Sequence, residues 1–293
     1  MGARMVHDPA VTEQTVKTST PEGIGDESRV RVLMYHRVVP NGVKPDPHQM
    51  WIPERRFRRQ MEFLDRWGFT AVTFNDYRLF RLGELNLPRK PIILTFDDAY
   101  VETYDVVFPI LQEFGMKGVL FVVADPAIRT SVWDNKYPAA VTPLMNDAQI
   151  LEMHSAGFEI GSHSLTHKNL CAIPGAEAWE EISRSRMRLE IVLNSPVRSF
   201  AYPYGLVNEQ VKKMVREAGY TIAVSGWTGP ALFGEDELEV RRSIIIRERR
   251  FPGISFALSL MSPYQFYRWL WWRIRVFLEL TGVRSGPRIG AAK

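Results

Sequence analysis

Two acids stand side by side at Asp97 and Asp98, directly after the apolar, β-branched run Pro91-Ile92-Ile93-Leu94-Thr95-Phe96. Such a run reads as a buried strand. The carboxyl ends of strands in α/β sheets are where ligands and catalytic groups collect, because rigid elements hold the loops there. Adjacent strand-end side chains point different ways, so one acid can bind a cation while the other moves a proton. An Asp pair capping a helix that opens near Val101 is the plainer alternative. Farther on, His163 and His167 bracket Ser164-Leu165-Thr166 after the strand-like Phe158-Glu159-Ile160-Gly161-Ser162. Two imidazoles at this spacing converge on one ion if the backbone coils through about one turn, but the spacing alone also suits two unrelated surface histidines.

Joined to Asp98, the two histidines form a His, His, Asp set that suits zinc, cobalt, nickel or ferrous iron, and three protein ligands leave a position open for water. Asp97 then stands where it can take a proton from a metal-bound water as that water attacks a carbonyl. The chemistry so outlined is hydrolysis of an amide or an ester. A non-haem iron oxygenase would use the same ligand set, but Asp97 has no task in it.

The elements that must position these residues alternate along the chain. Strands are predicted over residues 30–36, 70–74, 91–96, 118–123, 158–162, 198–202, 220–224 and 238–246, and helices over 54–67, 76–82, 101–114, 147–156, 175–193 and 208–218. Strand and helix in turn predict an α/β fold with a parallel sheet or barrel, not an antiparallel sandwich. Residues 125–146, with Pro126, Trp133, Tyr137, Pro138 and Pro143, interrupt this rhythm; a connection of that length suits a lid over a site.

With 293 residues the chain can bury a large core, as one large domain or two small ones. Its 37 basic and 33 acidic residues leave a charge of +4, too mild to predict a nucleic-acid partner. The single cysteine, Cys171, excludes an intrachain disulfide and a Cys-based zinc site. Residues 1–28 are polar, read as a flexible tail and lack the apolar stretch of a secretory leader, so a cytoplasmic location is expected. No apolar run reaches transmembrane length. The expected layout is that tail, a barrel over 29–250, and an aromatic, basic C-terminal helix and tail over 251–293. Within the last segment, 262–280 carries Trp269, Trp271 and Trp272 among Arg268, Arg273 and Arg275. That mixture suits peripheral contact at the inner face of a membrane, and equally a helix packed on the barrel or in a dimer interface.

Three stretches, Thr95-Phe96-Asp97-Asp98-Ala99-Tyr100, His163-Ser164-Leu165-Thr166-His167 and Phe200-Ala201-Tyr202-Pro203-Tyr204-Gly205, resemble in that order the first three motifs of the polysaccharide deacetylase family, carbohydrate esterase family 4. The resemblance spans roughly residues 29–246. It implies a distorted (β/α) barrel with seven or eight strands as a single catalytic domain. It also implies one divalent metal ion, usually Zn2+ with Co2+ or Ni2+ as substitutes, and removal of acetyl from N-acetylated sugars. By the same resemblance Asp97 is the base, Asp98, His163 and His167 hold the metal, and the Tyr204 backbone N–H faces the oxyanion, where charge develops. Ser164 and Thr166 would steady the histidine loop, or serve as ordinary turn residues.

Two departures redirect the reading. The arginine that many members carry before the Pro-Tyr is Ala201 here, and its acidic partner is missing near Val224-Ser225-Gly226-Trp227. Alternation along residues 238–244 places Arg242 on the inward side with Leu238, Val240 and Ile244, where it could supply the replacement cation, with Arg241 next in line and a solvated strand charge as the alternative. The family's late histidine, the acid for the leaving amine, is also missing, since no histidine follows His167. Met34-Tyr35-His36 resembles the opening strand of the branch that acts in exopolysaccharide synthesis and modification, which implies His36 as the acid; a structural strand-end histidine is the alternative. The expected substrate is an N-acetylated amino sugar in a glycan or glycan precursor, lipid-linked forms included. A carbohydrate O-acetyl esterase and a non-catalytic sugar-binding relic remain as other readings.

Overall fold

The computed structural model describes residues 30–43, 50–134, 141–226 and 236–245, together with Phe233, Phe256 and Leu260. The predicted N-terminal tail and the 262–280 helix lie outside the described residues. No helix among those described is long and apolar enough to cross a membrane.

The described residues form ten strands and six α-helices in the order β1 (Arg31–Tyr35), β2 (Arg37–Val39), β3 (Trp51–Pro53), α1 (Glu54–Arg66), β4 (Thr70–Ala71), α2 (Phe74–Arg81), β5 (Pro91–Phe96), α3 (Phe108–Glu113), β6 (Val119–Val122), α4 (Asp147–Ser155), β7 (Glu159–Ser162), α5 (Gly175–Leu193), β8 (Ser199–Ala201), α6 (Glu209–Glu217), β9 (Ile222–Val224) and β10 (Ser243–Ile244). The main sheet runs β10-β1-β5-β6-β7-β8-β9, wholly parallel, with β4 added against the start of β5. Residues 236–245 reach both ends of this order. The Ala223 N–H donates to the Glu237 carbonyl and the Val240 N–H to Ala223, while Ser243 pairs with Leu33 and the Ile245 N–H donates to Met34. One short segment thus draws β9 and β1 together and curls the sheet into the expected distorted barrel, in which all strand carboxyl ends face one rim.

Several boundaries shift for local reasons. The predicted strand over 70–74 stops at Ala71, because Thr73 caps α2 and exchanges side-chain and backbone hydrogen bonds with Asp76 in a capping box. The predicted helix over 101–114 is divided into a π-turn at Thr103–Val107 and then α3. Pro109 has no N–H to give to the carbonyl four residues back, and the chain widens its turn just before it. The strand predicted over 238–246 shrinks to β10 plus a single bridge from Val240 to Val224, since its ends serve two different neighbours.

Outside the sheet, α1 buries Phe57, Met61 and Leu64, one helical stripe, against the barrel. Phe57 meets Tyr35 edge-on at 5.3 Å, and Tyr35 stacks on Phe96 at 5.4 Å. Inside, Phe121 fills the barrel so closely that a Cβ on Gly161 would lie 2.6 Å from its ring; only glycine fits on β7 at that level. Phe256 and Leu260 are buried in the main core, Phe256 edge-on to Phe63 of α1 at 5.8 Å.

Candidate active site

The three motif stretches end three strands and meet on one rim. Asp97 and Asp98 follow β5, His163 follows β7, and Tyr204 follows β8. β5 and β7 each flank β6, and β7 pairs with β8. At each turn the backbone leaves ordinary space: φ is +73° at Asp98, +55° at Ala99, +63° at Ser164, +62° at His167 and +58° at Tyr204. Left-handed φ in non-glycine residues costs roughly 1–3 kcal/mol each. Among the described residues only Asn194, which ends α5, shares that conformation outside these turns. Strain is concentrated where the chemistry is expected.

What holds the turns is visible in their hydrogen bonds. The Ser164 hydroxyl oxygen accepts the His167 N–H at 3.0 Å. Thr166 donates twice to buried Glu181 of α5, through its N–H at 2.7 Å and through a short bond from its hydroxyl. After Tyr204, Gly205 (φ +67°) lies back to back with Gly226. A Cβ on Gly205 would come within 2.3 Å of the Gly226 Cα, so the turn requires glycine there. Glu181 had a sequence signal: it falls on the buried stripe of α5 with Ala178, Ile182, Ser185 and Leu189, where an acid must have a partner.

Asp98, His163 and His167 are all buried, and one ligand atom from each lies within 4.8 Å of the others. Asp98 Oδ1 is 3.4 Å from His163 Nε2 and 3.2 Å from His167 Nε2. Ligands about 2 Å from a tetrahedral ion stand roughly 3.3 Å apart, so the cluster has the right size. Its donor chemistry fits as well. His163 Nδ1 lies 2.8 Å from the Ala201 carbonyl and must donate to it, which leaves Nε2 of the neutral ring with a lone pair facing a carboxylate oxygen. Asp98 Oδ1 is buried without a hydrogen-bond donor. Two lone pairs facing each other in a buried site call for a cation between them.

Asp97 is buried beside this cluster and is gripped by Arg242 on both oxygens: Nη1 to Oδ1 at 2.7 Å and Nη2 to Oδ2 at 2.8 Å. Arg242 is only 1% exposed; it also donates to the Thr95 hydroxyl at 3.1 Å and the Ser225 carbonyl at 3.4 Å. Arg241 is exposed, so Arg242 is the inward arginine of the pair. Burial works against charge on Asp97, but the guanidinium, His163 and His36 together hold its carboxyl below the ordinary range. Asp98 is likewise buried, and the two imidazoles, when protonated, hold it well below that range.

His36 links β1 to β2. The Asp97 N–H donates to the Tyr35 carbonyl at 3.1 Å, which sets His36 on the rim next to Asp97. Tyr204 is 57% exposed, with its ring edge-on to His167 at 4.7 Å. An open groove of about 590 Å³ runs past His167, lined by Val132, Trp133, Thr166, Lys168, Tyr204 and Leu206 among others.

The described parts of the excursion over 125–146 form a clamped platform. The Met145 N–H donates to Ala99 and the Val101 N–H to Pro143. Thr142 joins Arg37 and Glu102, which form an ion pair of their own, and the Tyr100 hydroxyl donates to Asp134 Oδ2 at 3.2 Å. This platform sets Trp133 flat on His167 at 4.2 Å. The sequence marks Trp133 only as part of the lid-like excursion and gives no sign of Glu102 or Thr142, because their partners lie in other turns.

Residues 84–223 match the model of a family described as polysaccharide deacetylase. A protein of Bacillus subtilis (strain 168), YxkH, named provisionally as a polysaccharide deacetylase, is 23% identical over 83% of this chain and 77% of its own length. A Staphylococcus epidermidis poly-beta-1,6-N-acetyl-D-glucosamine N-deacetylase is 22% identical over 57% of the chain; the match spans 58% of that enzyme. Among solved structures, BC0361, a polysaccharide deacetylase from Bacillus cereus, superposes with a TM-score of 0.64 at 26% identity, over 79% of this chain and 68% of the other.

Proposed function

We propose that this chain, which matches the polysaccharide deacetylase model over residues 84–223, is a metal-dependent hydrolase removing an N-acetyl group from an amino sugar in a glycan or glycan precursor. The observation that carries the proposal is the pairing of two differently equipped acids: Asp98 facing two imidazole Nε2 atoms, and Asp97 gripped by Arg242. Asp98, His163 and His167 would hold one divalent cation, for which the nitrogen and oxygen donors suit Zn2+ best. When bound, the cation supplies Lewis acidity, polarising the acetyl carbonyl and acidifying water.

The protein's own residues divide the remaining work. Asp97 takes the proton of the attacking water. Arg242 keeps it ionised and aimed, and because a carboxylate has about four lone-pair positions, two stay free beyond the two the guanidinium uses. The Tyr204 backbone N–H, in a left-handed turn, would serve the developing oxyanion, where a fixed donor stabilises charge. His36, on the rim beside Asp97, protonates the departing amine, which leaves poorly without a proton. The groove past His167 supplies aromatic and apolar walls for sugar-ring faces and Lys168 and Thr166 for hydroxyl groups.

The test is acetate release from N-acetylglucosamine oligomers by zinc-loaded protein, with Asp97→Asn as the comparison. Release that survives in Asp97→Asn overturns the mechanism. Release from O-acetylated but not N-acetylated sugars would make it an esterase.

A further inference from the structure

His163 and His167 face Asp98 alike but are held by different means. His163 is tied through Nδ1 to the Ala201 carbonyl, the usual device by which the second ring nitrogen fixes the tautomer and angle of a metal-ligating histidine. His167 lacks such a tie. Its Nδ1 is buried and has no hydrogen-bond partner among the described residues. Besides Asp98 and His163, aromatic faces pack on this ring: the Trp133 indole lies against it with 4.2 Å between centroids and 27° between planes, and the Tyr204 ring meets it at 4.7 Å and 63°.

Trp133 is itself fastened. It lies in the turn Val132–Asp134, where the Asp134 N–H donates to Ser131 and the Asp134 carboxylate accepts from Tyr100. Ser131 exchanges hydrogen bonds with Thr142, and Thr142 is bound to Arg37 and Glu102. A buried polar network of this kind is a heavy support for one half-buried indole on a loop, and its effect is to fix the plane against which His167 rests.

We propose that Trp133 is a positioning residue for His167: its indole face, by stacking, sets the angle of that imidazole, as the Ala201 carbonyl does for His163, and so sets the affinity for the divalent cation. The inference rests on the reading of Asp98, His163 and His167 as a cation site. It gives the 125–146 excursion a task distinct from covering substrate. It also makes cation affinity depend on a residue outside the three motifs.

The experiment measures Zn2+ affinity by competition with a chromophoric chelator, and the visible absorption of the Co2+-loaded protein, for wild type, Trp133→Ala, Trp133→Leu and Trp133→Phe. Loss of an orienting group around a metal ligand weakens affinity by about tenfold or more, and that is expected for Ala and Leu, with altered Co2+ bands. Phe keeps an aromatic face and is expected within about threefold of wild type. Zinc bound as tightly by Ala and Leu as by wild type overturns the proposal. If Ala does not fold, Leu against Phe decides, since both retain bulk and only Phe retains the face; equal affinities overturn it. A wild type that binds no zinc, or a His163→Ala variant that binds as well as wild type, overturns the cation site instead, so the two failures are distinguishable.

Discussion

The two ends of the barrel both enclose carboxylates, and they treat them in opposite ways. At the carboxyl ends of the strands, Asp97 and Asp98 face an arginine and two imidazoles, and their carboxyls lie below the ordinary range despite burial. At the amino ends, Glu159 opens β7 with its carboxylate accepting the Asn75 N–H at 2.7 Å. Burial pushes that carboxyl up; the Asn75 N–H and the nearby hydroxyls of Ser199 and Thr73 offset this only in part, and nearby Asp76 adds to the rise. Both ends also have hollows, about 590 Å³ beside His167 and about 220 and 300 Å³ on either side of Glu159. Neither enclosure nor hollow volume therefore marks the active end. What separates them is the charge of the partners: one end sets a guanidinium and imidazoles against its acids and lowers their pKa, and the other leaves its acid among neutral donors and a second carboxylate, which leave its pKa raised.

The largest expected effect tests that separation directly. Asp97→Asn should lower acetate release by on the order of 10² to 10⁴ while zinc binding persists, whereas Glu159→Gln should leave turnover near wild type. Equal losses in the two variants would break the comparison. His36→Ala should fold, keep zinc and lose roughly 100-fold or more in turnover; unchanged activity would remove His36 from the reaction.

Next comes the arginine. Arg242→Gln leaves Asp97 buried and unpaired, which should cost about 3–5 kcal/mol in denaturant unfolding. It should also move the acid limb of kcat/KM to higher pH, because burial, no longer opposed by the guanidinium, raises the Asp97 pKa. An acid limb that stays in place would show that Arg242 does not control Asp97.

The smallest effect is a difference in sign. Asp97 has a lowered folded pKa, so its contribution to stability is present above its unfolded pKa of about 3.9 and is lost as pH falls through the folded value. Glu159 has a raised folded pKa. The folded state binds its proton more tightly, so stability falls as pH rises from about 4.3 through the folded value. Unfolding free energies across this range should therefore lose part of their decline with pH in Glu159→Gln, and a steeper decline in that variant would reverse the assignment.

Much of the site was legible because its key residues lie in short contiguous stretches. A strand that ends in two acids, or in His-x-x-x-His, carries its local turn with it, and those turns need only be brought to one rim. The alternation along 238–244 also placed Arg242 inward. The partner of that side chain was not legible: Arg242 and Asp97 are 145 residues apart and meet only because residues 236–245 reach both β9 and β1. The long excursion reads as a lid from its length, yet its described ends are sewn to Ala99, Val101, Arg37 and Glu102.

The sequence by itself determined the alternation of strand and helix, the three residues proposed to hold a cation and the presence of a second acid beside them. These follow from side-chain period and from neighbours within a few residues, which act in any fold that keeps the strand ends together. Only the tertiary structure decided that Arg242 grips both oxygens of Asp97, that Glu181 holds the Thr166 turn, and that Trp133 lies on His167. Each of these contacts joins side chains from separate elements at the rim of a curled sheet, and their geometry exists only once that sheet has formed.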